Sequence, residues 1–155
     1  MSVAARLAEL GIELPAVVPP LAAYIPAKAH GDVVQTSGQL PMVDGALPAT
    51  GKVGEGDGFV DAATAKHLAR RCALNAIAAA ADAIGGVDRL TGVLKVTGFV
   101  ASDPAFTGQP GVINGASEVL GEIFGEAGRH SRSAVGVPVL PLDSPVEVEV
   151  AFTFA

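Results

Sequence analysis

Apolar positions along the chain recur with two periods, and the changes of period divide it into elements. Over residues 61–84 an alanine-rich run carries Ala65, Leu68, Cys72, Ile77 and Ile84 at close to helical spacing. Asp61 can cap its start and Gly85-Gly86 stops it, which predicts a long helix. Residues 112–124 repeat the pattern, with Val112, Ala116, Val119, Leu120 and Ile123 inward. The period then drops to two. Over 146–154 Val146, Val148 and Val150 alternate with Glu147 and Glu149, a strand that sends valines to one face and carboxylates to the other. Over 131–137 Ser133, Val135 and Val137 share one face, leaving Arg132, Ala134 and Gly136 on the other. Residues 93–101 are apolar with little interruption and predict a strand buried on much of both faces. Residues 22–27 and 32–37 are short runs separated by Lys28-Ala29-His30-Gly31, which predicts a β-hairpin.

Breakers fill the gaps. Ser2 can cap a short helix whose Leu7 and Leu10 share a face, and Gly11 ends it. The proline-rich 15–20 reads as an extended linker, and 42–59, crowded with Gly, Pro and Asp, as a long surface loop. The order ββ, α, β, α, ββ predicts an α+β two-layer domain, with two helices on one face of a mixed sheet. A chain of 155 residues suits one such domain, over 20–155, with 1–19 as an appended helix and linker. The opposite sheet face then needs a cover.

Composition narrows the function. A formal net charge of −6 argues against a surface that gathers phosphates, since nucleic-acid affinity comes from Lys and Arg displacing counterions. The opening residues lack a secretory pattern, no apolar stretch spans a bilayer, and Cys72 is alone; a cytoplasmic location is expected, with no membrane partner. The run at 51–58 is not a phosphate loop, and His30, His67 and His130 lack metal-site spacing, so neither cofactor nor metal is expected. His130 could border a cleft, but it reads first as a surface loop histidine.

Arg132 and Glu147 are the candidates to carry chemistry. If the apolar sets of both closing strands face the helices, these two side chains lie together on the helix-free face. That face is open either to solvent or to a subunit-interface cleft, in which Ala134 and Gly136 leave room beside the guanidinium. Arginine suits a carboxylate because its planar fork donates two parallel hydrogen bonds. Glu147 could hold and activate a water.

Four stretches in order, TSGQLP at 36–41, GFVASDPAF at 98–106, RSAV at 132–135 and the terminal VEVEVAF, resemble the signatures of the RidA/YjgF family of reactive intermediate deaminases. The resemblance implies a chorismate-mutase-like fold, a homotrimer with a central barrel, and ligand clefts between subunits. It implies hydrolysis of imines and enamines to 2-oxo acids and ammonia. By position, Arg132 matches the arginine that grips the substrate carboxylate and Glu147 the acid that positions water. Tyr24 and Ser37, and approximately Asn114, match further cleft positions, while Gly38 would let a ligand approach the backbone and the small Ala134 leaves it room. Read from the residues alone, Tyr24 is equally a packing residue, Ser37 a hydroxyl bonded to backbone, Gly38 a bulge, and Asn114 a helix-end polar group.

Departures mark a divergent branch. Ala134 stands where many relatives carry cysteine, and His130 where proline is usual. Two other functions compete with the deaminase: a non-catalytic module that binds a 2-oxo acid or related small carboxylate, and the endoribonuclease or translation-inhibitor activity attached to parts of the family. Cys72, on an apolar helical stripe, reads as a core residue.

Overall fold

The computed structural model describes residues 1–20 and 22–155. Its elements run α1 (Val3–Glu9), β1 (Ala27–His30), β2 (Val33–Thr36), α2 (Ala62–Ile84), β3 (Leu90–Ala101), α3 (Gln109–Phe124), β4 (Ser131–Val137) and β5 (Val146–Phe154), with 3-10 turns at Val87–Arg89, Gly125–Gly128 and Pro141–Asp143.

Both long helices start and stop as their sequences dictate. The Asp61 side chain accepts from the Thr64 amide and hydroxyl at 2.8 Å each, bonds that hold its carboxyl below the usual value. Gly85, at φ 83, closes α2 in the left-handed conformation. Helices α2 and α3 pack closely because Gly115 has no side chain: a Cβ there would lie 1.9 Å from the Lys66 carbonyl oxygen. Ser2 caps α1, whose Leu7 is buried, and Arg6 Nε donates to the Glu122 carbonyl on α3. No helix among the described residues is long and apolar enough to cross a membrane.

The sheet order is β1-β2-β5-β3-β4, antiparallel except for the parallel β3–β4 pair. Its helix-facing side carries Val34, Val96, Val100, Val146, Val148, Val150 and Phe152, all 0–2% exposed, packed against Ile77 and Leu120 of the helices. Burying a side chain of this kind contributes about 1.5–3 kcal/mol, so this layer dominates the stability.

Four expectations are corrected. The central barrel is not formed: the sheet is open, with β1 and β4 at its two edges. Five strands twisting by roughly 20–25° per step do not return one edge to the other. The first strand is Ala27–His30 rather than 22–27, and its turn is only Gly31-Asp32, with Gly31 at φ 61. Strand β3 is buried on the helix side alone, while Leu94 and Lys95 are exposed and Thr97 and Phe99 half-buried. The 42–59 loop is not wholly superficial, since Val53 is fully buried and bridges Val60 and Ser102.

Candidate active site

A fifth correction places Arg132. In the parallel β3–β4 register Val96 pairs with Arg132 and Gly98 with Ala134, and Val96 is a buried helix-side residue. Arg132 and Ala134 therefore face α3, whereas Val135, paired with Phe99, is 43% exposed on the other side. The valines of β4 face away from the helices because α3 opposes Arg132 on this edge strand with the polar side chains of Asn114 and Ser117. Arg132 Nη1 donates to Asn114 Oδ1 at 2.8 Å and to Ser117 Oγ at 3.2 Å, and Nη2 donates to the Pro110 carbonyl at 3.3 Å.

These three bonds decide what the guanidinium has left. Of its five N–H groups, those on Nε and the second on Nη2 find no acceptor among the described residues, and no carboxylate there pairs with Arg132. Two unclaimed donors on an oriented cation are what a carboxylate ligand requires. Next to them His130, expected as a surface residue, is half-buried, with Nε2 2.8 Å from Ser117 Oγ and Nδ1 2.6 Å from the Gly128 carbonyl.

A second group of expected residues assembles elsewhere. After β2 the chain bulges at Ser37-Gly38 before Gln39 resumes pairing with Val148. The bulge brings the Gly38 backbone against Glu147, so close that a Cβ would lie 1.7 Å from Glu147 Oε1. Burial raises the Glu147 carboxyl above its ordinary value, and the neighbouring Glu149 charge adds to the rise. Ser37 Oγ donates to the Ile25 carbonyl at 2.6 Å, tying down the segment that carries Tyr24. Tyr24 and Gly38 line one cleft with Val18, Pro20, Leu40 and Met42.

Thus the chain brings Tyr24, Ser37, Gly38 and Glu147 together, and Asn114, Arg132 and Ala134 together, but not the two sets. Glu147 pairs with Phe99 and shares the helix-free side. Arg132 lies two strands across and three residues along, on the other face. The backbones are thereby roughly 14 Å apart at ordinary strand spacings. Ser117 was missed as a site residue, and His130 was weighed as a cleft neighbour but set aside for the surface. Their signal was the three-residue spacing of Asn114 and Ser117 on one helix, and a histidine two residues before the arginine. Cys72 is fully buried, its thiol pushed far up by burial and further by the Glu147 charge, and is inert. No cluster of three or more metal-ligating side chains occurs among the described residues.

The family model described as "YjgF/chorismate_mutase-like, putative endoribonuclease" matches residues 4–154. Protein TCP17 of Trypanosoma cruzi is 42% identical over 148 residues, covering 95% of this chain and 91% of that protein. Among solved structures, a "putative endoribonuclease" from Shewanella oneidensis MR-1 superposes with a TM-score of 0.92 at 34% identity, covering 99% of this chain and all (100%) of that one. The protein Atu1372 of Agrobacterium tumefaciens, of unknown function, superposes with a TM-score of 0.87 at 39% identity, covering 99% and 92% of the two chains.

Proposed function

Because the chain belongs to the RidA/YjgF family, we propose that it hydrolyses reactive 2-imino and enamine acids to 2-oxo acids and ammonia, in clefts between the subunits of a homotrimer. One subunit supplies Arg132 with Asn114 and Ala134. Its neighbour supplies Glu147 with Tyr24, Ser37 and Gly38. The observation that carries this reading is the pair of unclaimed Arg132 donors, held in place by three bonds, on the face opposite Glu147.

The substrate carboxylate takes the two Arg132 donors, which aligns the C=N carbon for attack. Glu147 accepts a proton from a water as the water oxygen bonds to that carbon, and passes it to the nitrogen, to which the C=N electron pair moves, giving the neutral carbinolamine. In the collapse Glu147 takes the hydroxyl proton and delivers it to the nitrogen: the oxygen re-forms a carbonyl, the C–N bond breaks, and ammonia leaves. A carboxyl raised by burial is better matched to this exchange near neutral pH than an exposed one. The endoribonuclease reading draws on the family description and on the name of the Shewanella oneidensis relative, and the charge of −6 counts against it.

The test is complementation. Arg132→Ala and Glu147→Gln chains are each expected to leave 2-iminobutanoate decay near its uncatalysed rate. When the two are co-expressed in equal amounts and assemble at random, about one third of the interfaces in each mixed trimer, and about one quarter over all trimers, pair an intact arginine with an intact glutamate, so about one quarter of the activity should return. No recovery in verified mixed oligomers, or single variants at the parent rate, would refute the composite site. Saturable 2-oxobutanoate binding without accelerated imine loss in the parent protein would select the binding module.

A further inference from the structure

We propose that Ser117 and His130 form a brace that sets the orientation of Arg132, making both positioning residues for carboxylate recognition; this rests on the reading of Arg132 given above. The Gly128 carbonyl can only accept, so its 2.6 Å contact assigns the proton of the neutral imidazole to Nδ1. Nε2 is then an acceptor, and the 2.8 Å contact is a bond donated by the Ser117 hydroxyl. A hydroxyl has one hydrogen. With it committed to His130, Ser117 Oγ presents only lone pairs to Arg132, whose Nη1 donates to it at 3.2 Å. Donation therefore runs one way, from Arg132 through Ser117 and His130 to Gly128.

Asn114 lies three residues before Ser117 on α3, and its Oδ1 takes the other Nη1 hydrogen. Without the imidazole acceptor, the Ser117 hydroxyl is free to turn its hydrogen toward Asn114 Oδ1 and compete with Arg132 for it. The guanidinium keeps its charge but loses the fixed plane that presents Nε and Nη2 to a carboxylate. A brace of this kind depends on hydrogen-bond polarity at nearly constant shape. Ordinary packing does not.

Titration calorimetry of the intact, full-length protein with 2-oxobutanoate reads that difference. Ser117→Ala and His130→Leu are each expected to raise Kd roughly three- to tenfold, the loss of one link to a charged group. Ser117→Thr keeps the hydroxyl and His130→Gln keeps an acceptor, and both are expected to stay within about twofold. The links act in series, so the Ser117→Ala/His130→Leu double variant should be no weaker than Ser117→Ala alone. Parent-like binding by the Ala and Leu variants, while Arg132→Lys binds weakly, would overturn the brace alone. Equal weakening by all four single variants would overturn it in favour of packing. If Arg132→Lys also binds like the parent, the carboxylate role of Arg132 fails first, and the brace has nothing to position. His130→Leu carries the test if Ser117→Ala, on a half-buried helix face, does not fold.

Discussion

Gly38→Ala separates the chemistry from the fold. Gly38 has no left-handed φ, so alanine meets no backbone penalty there, and restricting the unfolded chain favours it by about 0.4–1 kcal/mol. The obstruction is Glu147. The new Cβ would lie 1.7 Å from Oε1 and 2.7 Å from Cδ, whereas ordinary contact begins at 3.4 Å, so the carboxylate must retreat by about 1.7 Å. The end of a flexible side chain can do this by changing rotamer, at a cost of about 1 kcal/mol. Stability should therefore stay within about 1 kcal/mol of the parent. Catalysis should not, because a displacement of about 1 Å at a reacting group costs on the order of a hundredfold in rate, about 2.7 kcal/mol on the barrier. Decay of 2-iminobutanoate, generated in place by a dehydratase, measures the rate, and urea unfolding measures the stability. A folded Gly38→Ala protein that hydrolyses the imine at the parent rate would remove Glu147 from the reaction.

Two more outcomes follow from the same geometry. Gly115→Ala should destabilise the protein by about 1–3 kcal/mol, since its Cβ meets the Lys66 carbonyl, which is backbone and cannot swing aside; a urea midpoint equal to the parent's would show that the helices separate freely. Glu147→Gln should raise the melting temperature at pH 7: a carboxyl raised above its ordinary 4.5 contributes stability that is present below that value and lost as pH rises through the folded value, so the gain over the parent should vanish below about pH 4.5, and a gain that persists there would contradict the burial of the charge.

The layers of the fold were legible where burial imposes a period. β5 is buried on its valine face, and its bounds and faces follow directly from alternation. α2 has its start and stop written in Asp61 and Gly85. β1 was misplaced because it is an edge strand with a single buried residue, Ala27, so Lys28, Ala29 and His30 carry no alternation to read. The chain instead spends its local signal on Gly31, the only turn residue the hairpin needs. Barrel closure came from resemblance, and no residue pattern within the chain spoke for or against it.

The misreading of Arg132 and the omission of Ser117 have one physical cause. Assigning faces by valine assumes that the helix opposite a strand is apolar along the whole contact. α3 buries Val112, Ala116, Val119 and Leu120, but beside that stripe it carries Asn114 and Ser117, and this polar seam lies over the edge strand β4. A strand facing a polar seam turns its polar residue inward and its valine outward, as Arg132 and Val135 do. The consequence reaches function. With Arg132 on the helix side of an edge strand and Glu147 on the other face of the sheet, the two side chains of one chain do not converge on a common space. The proposed deaminase activity should then depend on assembly, and the proposed trimer would cover the exposed Val135 face.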